Sequence, residues 1–478
     1  MPFLDRLQRW ADDRPDSPAV VCSGRYLSWS DLRDAATAVL PDTGALSVLA
    51  QPNSVDFAVA FAAGTAGTRQ CTVLDPTWPE ATLQGIGERL AASGTRVAGT
   101  AGPLAGELID GPPDTPFLIG LTSGTTSVPK AFSRSRRSWQ VSFEASIEFF
   151  GLRQDDITLA PGPLAASLNL YALAECLYAG TQFNTLESFD VADVHTAVAF
   201  DGVTRLVVVP TMLRLLSERG LAGGVDASGL RTIICAGSKL DARTLEAARR
   251  WAPGATIFEY YGASELSFVA GAGLAPGAAA GAGNTRIGKP FPGVEIRILA
   301  DAGDDGPGPG SRELPDGETG SICVRSGMVS NGYLWGDDGA ALRAVDGWYT
   351  VGDQGYLADG ALHILGRRSD MILAAGCNVY PHEVELALTS IPGVASAVAV
   401  GLPDDLRGHK VAAGIVPAHG GITVTQIRSA LPDVLSREKR PQLYYLLNEL
   451  PVTDRGKVSR GLLREWIETG DARATHLA

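Results

Sequence analysis

With 478 residues, 45% of them hydrophobic and 19% charged, the chain has the composition of a globular protein with a large core. At roughly 150 residues per domain it has room for two to four domains, and a mainly disordered chain is excluded. Its 53 acidic and 40 basic residues give a net charge of −13, which excludes bulk attraction to nucleic acid or an anionic membrane and leaves only a local basic pocket for a phosphate ligand.

The N-terminus predicts a helix, with Phe3, Leu4, Leu7 and Trp10 at helical spacing. It holds no continuous apolar run of the kind a secretory leader needs, and no run of about 18 apolar residues follows elsewhere, so a cytoplasmic protein is expected. Apolar strand-like runs then alternate with helical patterns. ALSVLA (45–50) precedes a helix over Val55–Gly67, and the strand FLIGLTS (117–123) runs into Leu121-Thr-Ser-Gly-Thr-Thr-Ser-Val-Pro-Lys130. RLVVVP (205–210) leads into a helix over Thr211–Arg219, and RTIICAG (231–237) into one over Asp241–Trp251 with Asp241 as its N-cap. GATIFEYYG (254–262) follows. The alternation predicts an α/β fold with largely parallel sheets flanked by helices. Two Gly-rich stretches, Ala270–Asn284 and Asp301–Gly317, read as flexible loops. After Gly366-Arg367-Arg368-Ser369-Asp370 a small α+β unit is expected: MILAAG, a helix led by Pro381, and strands ASAVAVG (395–401) and HKVAAGIVP (409–417). The predicted division is a large domain over 1–368, a small mobile domain over 370–478, and a hinge near Ser369.

Six cysteines without a Cys-x-x-Cys pair and six histidines without His-Glu-x-x-His exclude a disulfide framework and a metal centre held by side chains alone. In the 121–130 segment, small residues let backbone N–H groups approach an anion, the hydroxyls add donors, and Lys130 adds charge. It is not a Walker A loop, since Pro129 and Ala131 stand where Gly and Ser/Thr are required. In Tyr260-Tyr-Gly-Ala-Ser-Glu265, Tyr261 can stack on a base, while Ser264 and Glu265 suit a phosphate and its magnesium ion. Asp353, in a Gly-flanked turn, can accept both hydroxyls of a ribose. Pro451-Val-Thr-Asp-Arg-Gly456-Lys457 presents a lysine on a turn. Only six of the 40 basic residues are lysines, and two of them, Lys130 and Lys457, stand in these motifs. A compact ammonium with rotating donors suits a transferring phosphate.

These motifs, in this order and over almost the whole chain, resemble the AMP-forming adenylating superfamily: acyl- and aryl-CoA synthetases, adenylation domains of peptide synthetases, and luciferases. The small stand-alone bacterial acyl-CoA ligases look most similar. The resemblance implies that Thr122, Ser123, Gly124, Thr125, Thr126 and Lys130 form the phosphate loop. It puts Gly237 and Ser238 at the adenine-side strand end, with Tyr261, Gly262, Ser264 and Glu265 serving adenine, phosphate and magnesium. Asp353 and Arg367 become ribose contacts, Ser369 the hinge, and Lys457 the lysine required for adenylation.

Departures concern the acid. Ser127 and Ala131 replace usual glycines, and Arg136 stands where a histidine is common. Ala165-Ala166 replaces a pair ending in the histidine that borders the acyl pocket, leaving that pocket wider or differently polar. Arg136 is then a candidate to hold the substrate carboxylate through two hydrogen bonds. The implied activity is attack of a carboxylate on the α-phosphate of MgATP, release of pyrophosphate, rotation of the small domain, and thiol attack along a tunnel past Gly376 and Asn378. Coenzyme A is the expected thiol. A carrier protein acting in trans, or an unusual acid passed to an amine, stays open. Joint retention of Lys130, Glu265, Asp353 and Lys457 argues against a non-catalytic nucleotide-binding protein.

Overall fold

Apolar runs in the middle of the chain become strands buried on both faces. In Arg205–Val208 and Thr232–Cys235, Leu206, Val208, Ile233 and Cys235 join one core cluster, while Val207 and Ile234 join the other. That is the period-two alternation of a strand covered on both sides. Each such Val, Leu or Ile side chain contributes about 1.5–3 kcal/mol on burial. The computed structural model describes residues 3–40, 46–93, 107–122, 129–277, 285–303, 306–337, 339, 341–404, 408–418, 421–452 and 458–477.

Strands Pro18–Cys22, Gln182–Thr185, Ile157–Leu159, Arg205–Val208, Thr232–Cys235 and Thr256–Ala263 are neighbours in that order, each pair parallel. Helices Pro210–Gly223 and Ala242–Trp251 cover one face through Leu213, Leu216, Leu245 and Trp251. Asp241 caps the second of these, accepting from the Thr244 N–H at 2.8 Å. From Ser267–Leu274 onward the sheet continues antiparallel, through Arg286–Pro290, Ala361–Arg367, Asp353–Ala358 and Gly320–Ser326. A second sheet sets Leu46–Leu49, Gln70–Val73 and Pro116–Thr122 parallel, then adds Lys130–Ser135 and Tyr333–Trp335 antiparallel. The expected helix over Val55–Gly67 spans Val55–Gly64.

One loop expectation is corrected. Ala270–Leu274 is the second half of a strand, and Val269 and Ala270 are fully buried. Its glycines serve close packing: a Cβ on Gly273 would lie 2.8 Å from the Phe258 ring, and one on Gly271 3.0 Å from Tyr260 Cβ. Residues 278–284 of the same stretch lie outside the described residues.

Beyond Arg367 the chain passes through a 3-10 turn, Arg368–Asp370, into a separate six-stranded sheet. Its long hairpin, Val394–Asp404 with Gly408–Pro417, sends Ala399, Val411, Ala413 and Ile415 into one cluster and Val398, Val400, Leu402 and Ala412 into another. Helices Pro381–Thr389, Val424–Ala430 and Arg460–Thr469 complete this smaller α+β part. Among the described residues no helix is long and apolar enough to cross a membrane.

Candidate active site

Open α/β sheets bind ligands outside the carboxyl ends of their parallel strands. Here Gly237 and Ser238 are exposed just past Thr232–Cys235. Gly237 has φ +99°, a conformation that favours glycine. The next residue fixes the loop: the ammonium of Lys239 donates to Glu259 Oε2 at 2.6 Å and to the Arg286 carbonyl at 2.7 Å, while Leu240 N–H donates to Glu259 Oε1 at 2.7 Å.

On the neighbouring strand, Gly262 lies so close to its antiparallel partner that a Cβ would stand 2.3 Å from the Ser267 carbonyl oxygen. This tight return carries Ser264 and Glu265. Before it, Tyr261 donates its hydroxyl to Asp353 Oδ2 at 2.5 Å. Asp353 and Arg367 are register partners across antiparallel strands, with Arg367 Nε 3.5 Å from Asp353 Oδ1. Asp353 is only 8% exposed. Burial holds its carboxyl above the ordinary range, with Arg367 and Tyr261 opposing and Glu265 adding to the rise. Burial works against the Arg367 charge, but Asp353 and Glu265 outweigh it and raise its pKa.

A second constellation joins the two sheets. Tyr333 donates its hydroxyl to Glu265 and lies 3.4 Å from Thr122 Oγ1. Lys130 is the register partner of Thr122, and its ammonium lies 6.0 Å from the centre of the Tyr333 ring. Gly336, at φ +85°, packs on the Lys130 stem, where a Cβ would lie 2.9 Å from Cγ. Burial raises the Tyr333 pKa, and its bond to Glu265 adds to the rise. Thr122, Lys130 and Glu265 are thus brought together by a tyrosine that sequence reasoning passed over. Its signal was the Ser330-Asn-Gly-Tyr333 turn, where Asn331 N–H donates to the Ser133 carbonyl and Ser133 N–H to the Gly332 carbonyl. Ser123, Gly124, Thr125 and Thr126 lie outside the described residues, as does Lys457. Flanking Lys457, Val452 bridges Val458 and Ser459 N–H donates to the Pro451 carbonyl at 2.7 Å.

Magnesium keeps several waters and takes one or two carboxylates besides its phosphates. Glu265, half-buried beside Thr122 and Lys130, fits that demand. Among the described residues no group of three or more His, Cys, Asp or Glu can hold a metal.

Elsewhere the site residues divide. Ala166 is the N-cap of helix Ser167–Ala179, and Ala165 packs against the main core. Arg136 is a correction: it is 0% exposed and serves the core. Its guanidinium donates to the carbonyls of Thr65 (2.9 Å), Arg69 (2.9 Å), Pro116 (3.0 Å) and Thr115 (3.4 Å) and to Thr115 Oγ1 (2.7 Å). The remaining donor, Nε, is buried as well, so the guanidinium presents nothing to an open pocket. Gly376, at φ +78°, turns between Ile372–Ala374 and Cys377–Val379, and Asn378 lines a polar cavity with Arg368, Tyr380 and Lys439. Ser369 is exposed beside Asp370, whose carboxylate pairs with Arg460 at 3.1 Å.

A family profile described as AMP-binding enzyme matches residues 94–334, and one described as AMP-binding enzyme C-terminal domain matches residues 383–457. The chain is 30% identical over 443 residues to an uncharacterized acyl–CoA ligase, YhfT, of Bacillus subtilis (strain 168), covering 87% of each. It is 29% identical to the fatty acid–[acyl-carrier-protein] ligase ScoC of Streptomyces coeruleorubidus, across 95% of this chain and 94% of that one. Its fold matches the o-succinylbenzoate coenzyme A synthetase MenE of Bacillus subtilis, solved with ATP and a magnesium ion, with TM-score 0.81, 24% identity, and 96% and 98% of the two chains covered. At that identity the likeness speaks for the fold.

Proposed function

The chain belongs to the AMP-binding enzyme family, and on that premise we propose that it is an AMP-forming ligase that joins a carboxylic acid to a thiol, most simply that of coenzyme A. The acid's carboxylate attacks the α-phosphorus of ATP, pyrophosphate leaves, and the acyl-adenylate is then attacked by the thiol as AMP leaves. The observation that carries this reading is the meeting of two constellations at the carboxyl ends of the parallel strands: Tyr261–Asp353–Arg367 and Glu265–Tyr333–Thr122 with Lys130.

In the proposed mechanism Asp353 accepts the ribose hydroxyls, with Tyr261 and Arg367 fixing its carboxylate. Thr122, Lys130 and the intervening Ser123, Gly124, Thr125 and Thr126 hold the phosphates, and Gly237 and Ser238 border the adenine. Gly262 supplies close backbone approach and Ser264 a hydroxyl donor. Magnesium, when bound, neutralises charge on the leaving pyrophosphate, and Glu265 is the residue that would hold it. Lys457 stabilises charge developing on the α-phosphate. Such positioned donors supply most of the catalysis in phosphoryl chemistry. We divide the chain at residues 1–368 and 370–478, with the hinge near Ser369. The Arg368–Asp370 turn between two sheets with separate cores supports that division. Rotation there withdraws Lys457 and admits the thiol past Gly376 and Asn378. Ala165 and Ala166 border the acid. A cytoplasmic enzyme fits six free cysteines, five of them buried.

A carrier-protein thiol is the second reading, favoured by similarity to a ligase of that kind over nearly the full length. Pyrophosphate release across a panel of acids, with coenzyme A, with a phosphopantetheinylated carrier and with neither, tests both. Acid-dependent pyrophosphate is expected, and its absence with every acid refutes the proposal.

A further inference from the structure

The chain passes from the larger part to the smaller through Arg368, Ser369 and Asp370, and each is held differently. Arg368 belongs to the larger part. Its N–H donates to the Gly352 carbonyl at 2.9 Å, and its guanidinium pairs with Asp301 and donates to the Gly303 carbonyl. Asp370 belongs to the smaller part. Its Oδ2 accepts from Arg460 Nη1 at 3.1 Å, and Arg460 Nη2 also donates to Glu385 Oε1 and Oε2 at 2.9 and 2.8 Å. Glu385 Oε1 in turn accepts from the Ala399 N–H at 2.9 Å. Asp370 is thereby tied to helices Arg460–Thr469 and Pro381–Thr389 and to strand Val394–Asp404. Between the two, Ser369 is exposed, and its hydroxyl donates to the adjacent Asp370 Oδ1 at 3.2 Å. The 3-10 turn closes over it with the bond from Met371 N–H to the Arg368 carbonyl, 3.1 Å.

The Arg368 tie is built back to the nucleotide site. Asp301 opens the Gly-rich stretch Asp301–Gly317, and its Oδ1 accepts from Ser321 Oγ at 2.6 Å. Ser321 Oγ accepts from Gln354 Nε2 at 2.8 Å, and Gln354 follows Asp353. Arg368 itself follows Arg367, the register partner of Asp353. The Arg368 and Asp301 side chains are 21% and 25% exposed, so salt screens this pair less than one on an open surface. Asp301–Arg368 and Asp370–Arg460 each lie within one part, so neither has to break when the parts turn against each other.

We propose that Asp301 with Arg368 on one side, and Arg460 with Asp370 on the other, are positioning residues that confine rotation to Ser369. The inference rests on the adenylation reading above and its domain rotation. A lysine carried on a turning body returns to one place only if the axis is fixed, and a misplacement of about 1 Å at a reacting centre costs on the order of a hundredfold in rate. Two stiff brackets one residue apart leave the φ and ψ of Ser369 to absorb the turn, as hinges do. Serine suits the gap, since a short uncharged side chain adds no ion pair of its own. Loosening a bracket spreads the turn over more residues, so Lys457 reaches the α-phosphate with scattered geometry.

Two readouts on the full chain test this. Spin labels on Glu246→Cys and Glu465→Cys, exposed positions on helices Ala242–Trp251 and Arg460–Thr469, report the distance between the parts by pulsed dipolar spectroscopy. A Cys377→Ser background is used because the other five cysteines are buried. Asp301→Ala and Asp370→Ala should each widen the distance distribution about twofold. Each should also lower kcat for pyrophosphate release about tenfold, and Asp370→Ala should leave the KM for ATP within about twofold of wild type. Asp301→Glu and Asp370→Glu keep the charges and should restore both readouts. Arg325→Gln breaks an exposed pair with Glu295 elsewhere on the antiparallel sheet and should change neither. Wild-type width and kcat in an alanine variant overturn the inference for its bracket, so each side is tested even if the other variant does not fold. A lower kcat at unchanged width, or a greater width at unchanged kcat, overturns the positioning role. No pyrophosphate from wild type with any acid refutes the adenylation reading, while the label distances still decide whether the brackets confine the turn.

Discussion

Replacing Tyr333 by phenylalanine removes one oxygen atom from the joint between the two sheets. That oxygen donates to Glu265 and lies 3.4 Å from Thr122 Oγ1. The ring itself stays useful, since it packs edge-on against Phe132 at 6.1 Å and lies under the Lys130 ammonium at 6.0 Å. The substitution therefore tests orientation of Glu265 with little loss of packing. A hydrogen bond to a charged group contributes about 1.5–3 kcal/mol. If Glu265 must be held to serve the leaving pyrophosphate, that loss reaches the transition state, and about 1.4 kcal/mol corresponds to tenfold. The kcat/KM for pyrophosphate release at saturating ATP and magnesium should fall about 10- to 150-fold. The denaturant midpoint should move by less than the equivalent of ~1 kcal/mol, because no apolar volume is lost. Steady-state kinetics with a coupled pyrophosphate assay reads the first, and urea unfolding the second. A kcat/KM within twofold of wild type would refute the role given to Tyr333 and weaken that of Glu265.

Asp353→Ala should weaken ATP binding by about 1.5–3 kcal/mol and leave affinity for the acid unchanged, since the ribose loses its charged acceptor. Calorimetric titration with ATP decides it, and unchanged affinity would remove Asp353 from the nucleotide site. Arg136→Leu should cost about 3–5 kcal/mol of stability, because four carbonyls and a hydroxyl lose a buried donor. The folded fraction should keep its KM for the acid, and a raised KM would restore Arg136 to the pocket. His382 packs against Glu385, and burial beside Arg460 lowers its pKa to about 4. Folded His382 stays neutral where the unfolded chain, with an ordinary value near 6.5, takes a proton, so stability should fall as pH drops from about 6.5 towards 4. His382→Asn should be flatter over that window by ~1–2 kcal/mol in urea midpoints, and identical slopes would contradict the buried neutral ring.

The parallel half of the long sheet was legible because its strands are buried on both faces. RLVVVP and RTIICAG are unbroken apolar runs, and the helices after them start at Pro210 and at a capping Asp241. The antiparallel half was harder to read. Gly271 and Gly273 look like loop residues in one dimension, and only the nearness of Tyr260 and Phe258 shows why side chains are missing there. Motif order brought out Asp353 with Arg367, which the structure then makes register partners. Tyr333 stayed hidden because it acts from a short strand 68 residues beyond Glu265. Arg136 misled for the opposite reason. Its place after the phosphate loop suggests a free guanidinium for the substrate carboxylate, yet of the two adjacent arginines only Arg137 is exposed, paired with Asp114, while Arg136 is fully enclosed.

The claim that a carboxylate attacks the α-phosphorus is tested most directly by isotope transfer. The enzyme is incubated with ATP, magnesium, coenzyme A and an acid whose carboxylate oxygens are 18O, and the products are read by mass spectrometry. Acyl-adenylate chemistry predicts one labelled oxygen in AMP, unlabelled pyrophosphate, and a thioester that keeps the other label. Label in inorganic phosphate with ADP as co-product would contradict it, because attack would then have fallen on the γ-phosphorus through an acyl phosphate.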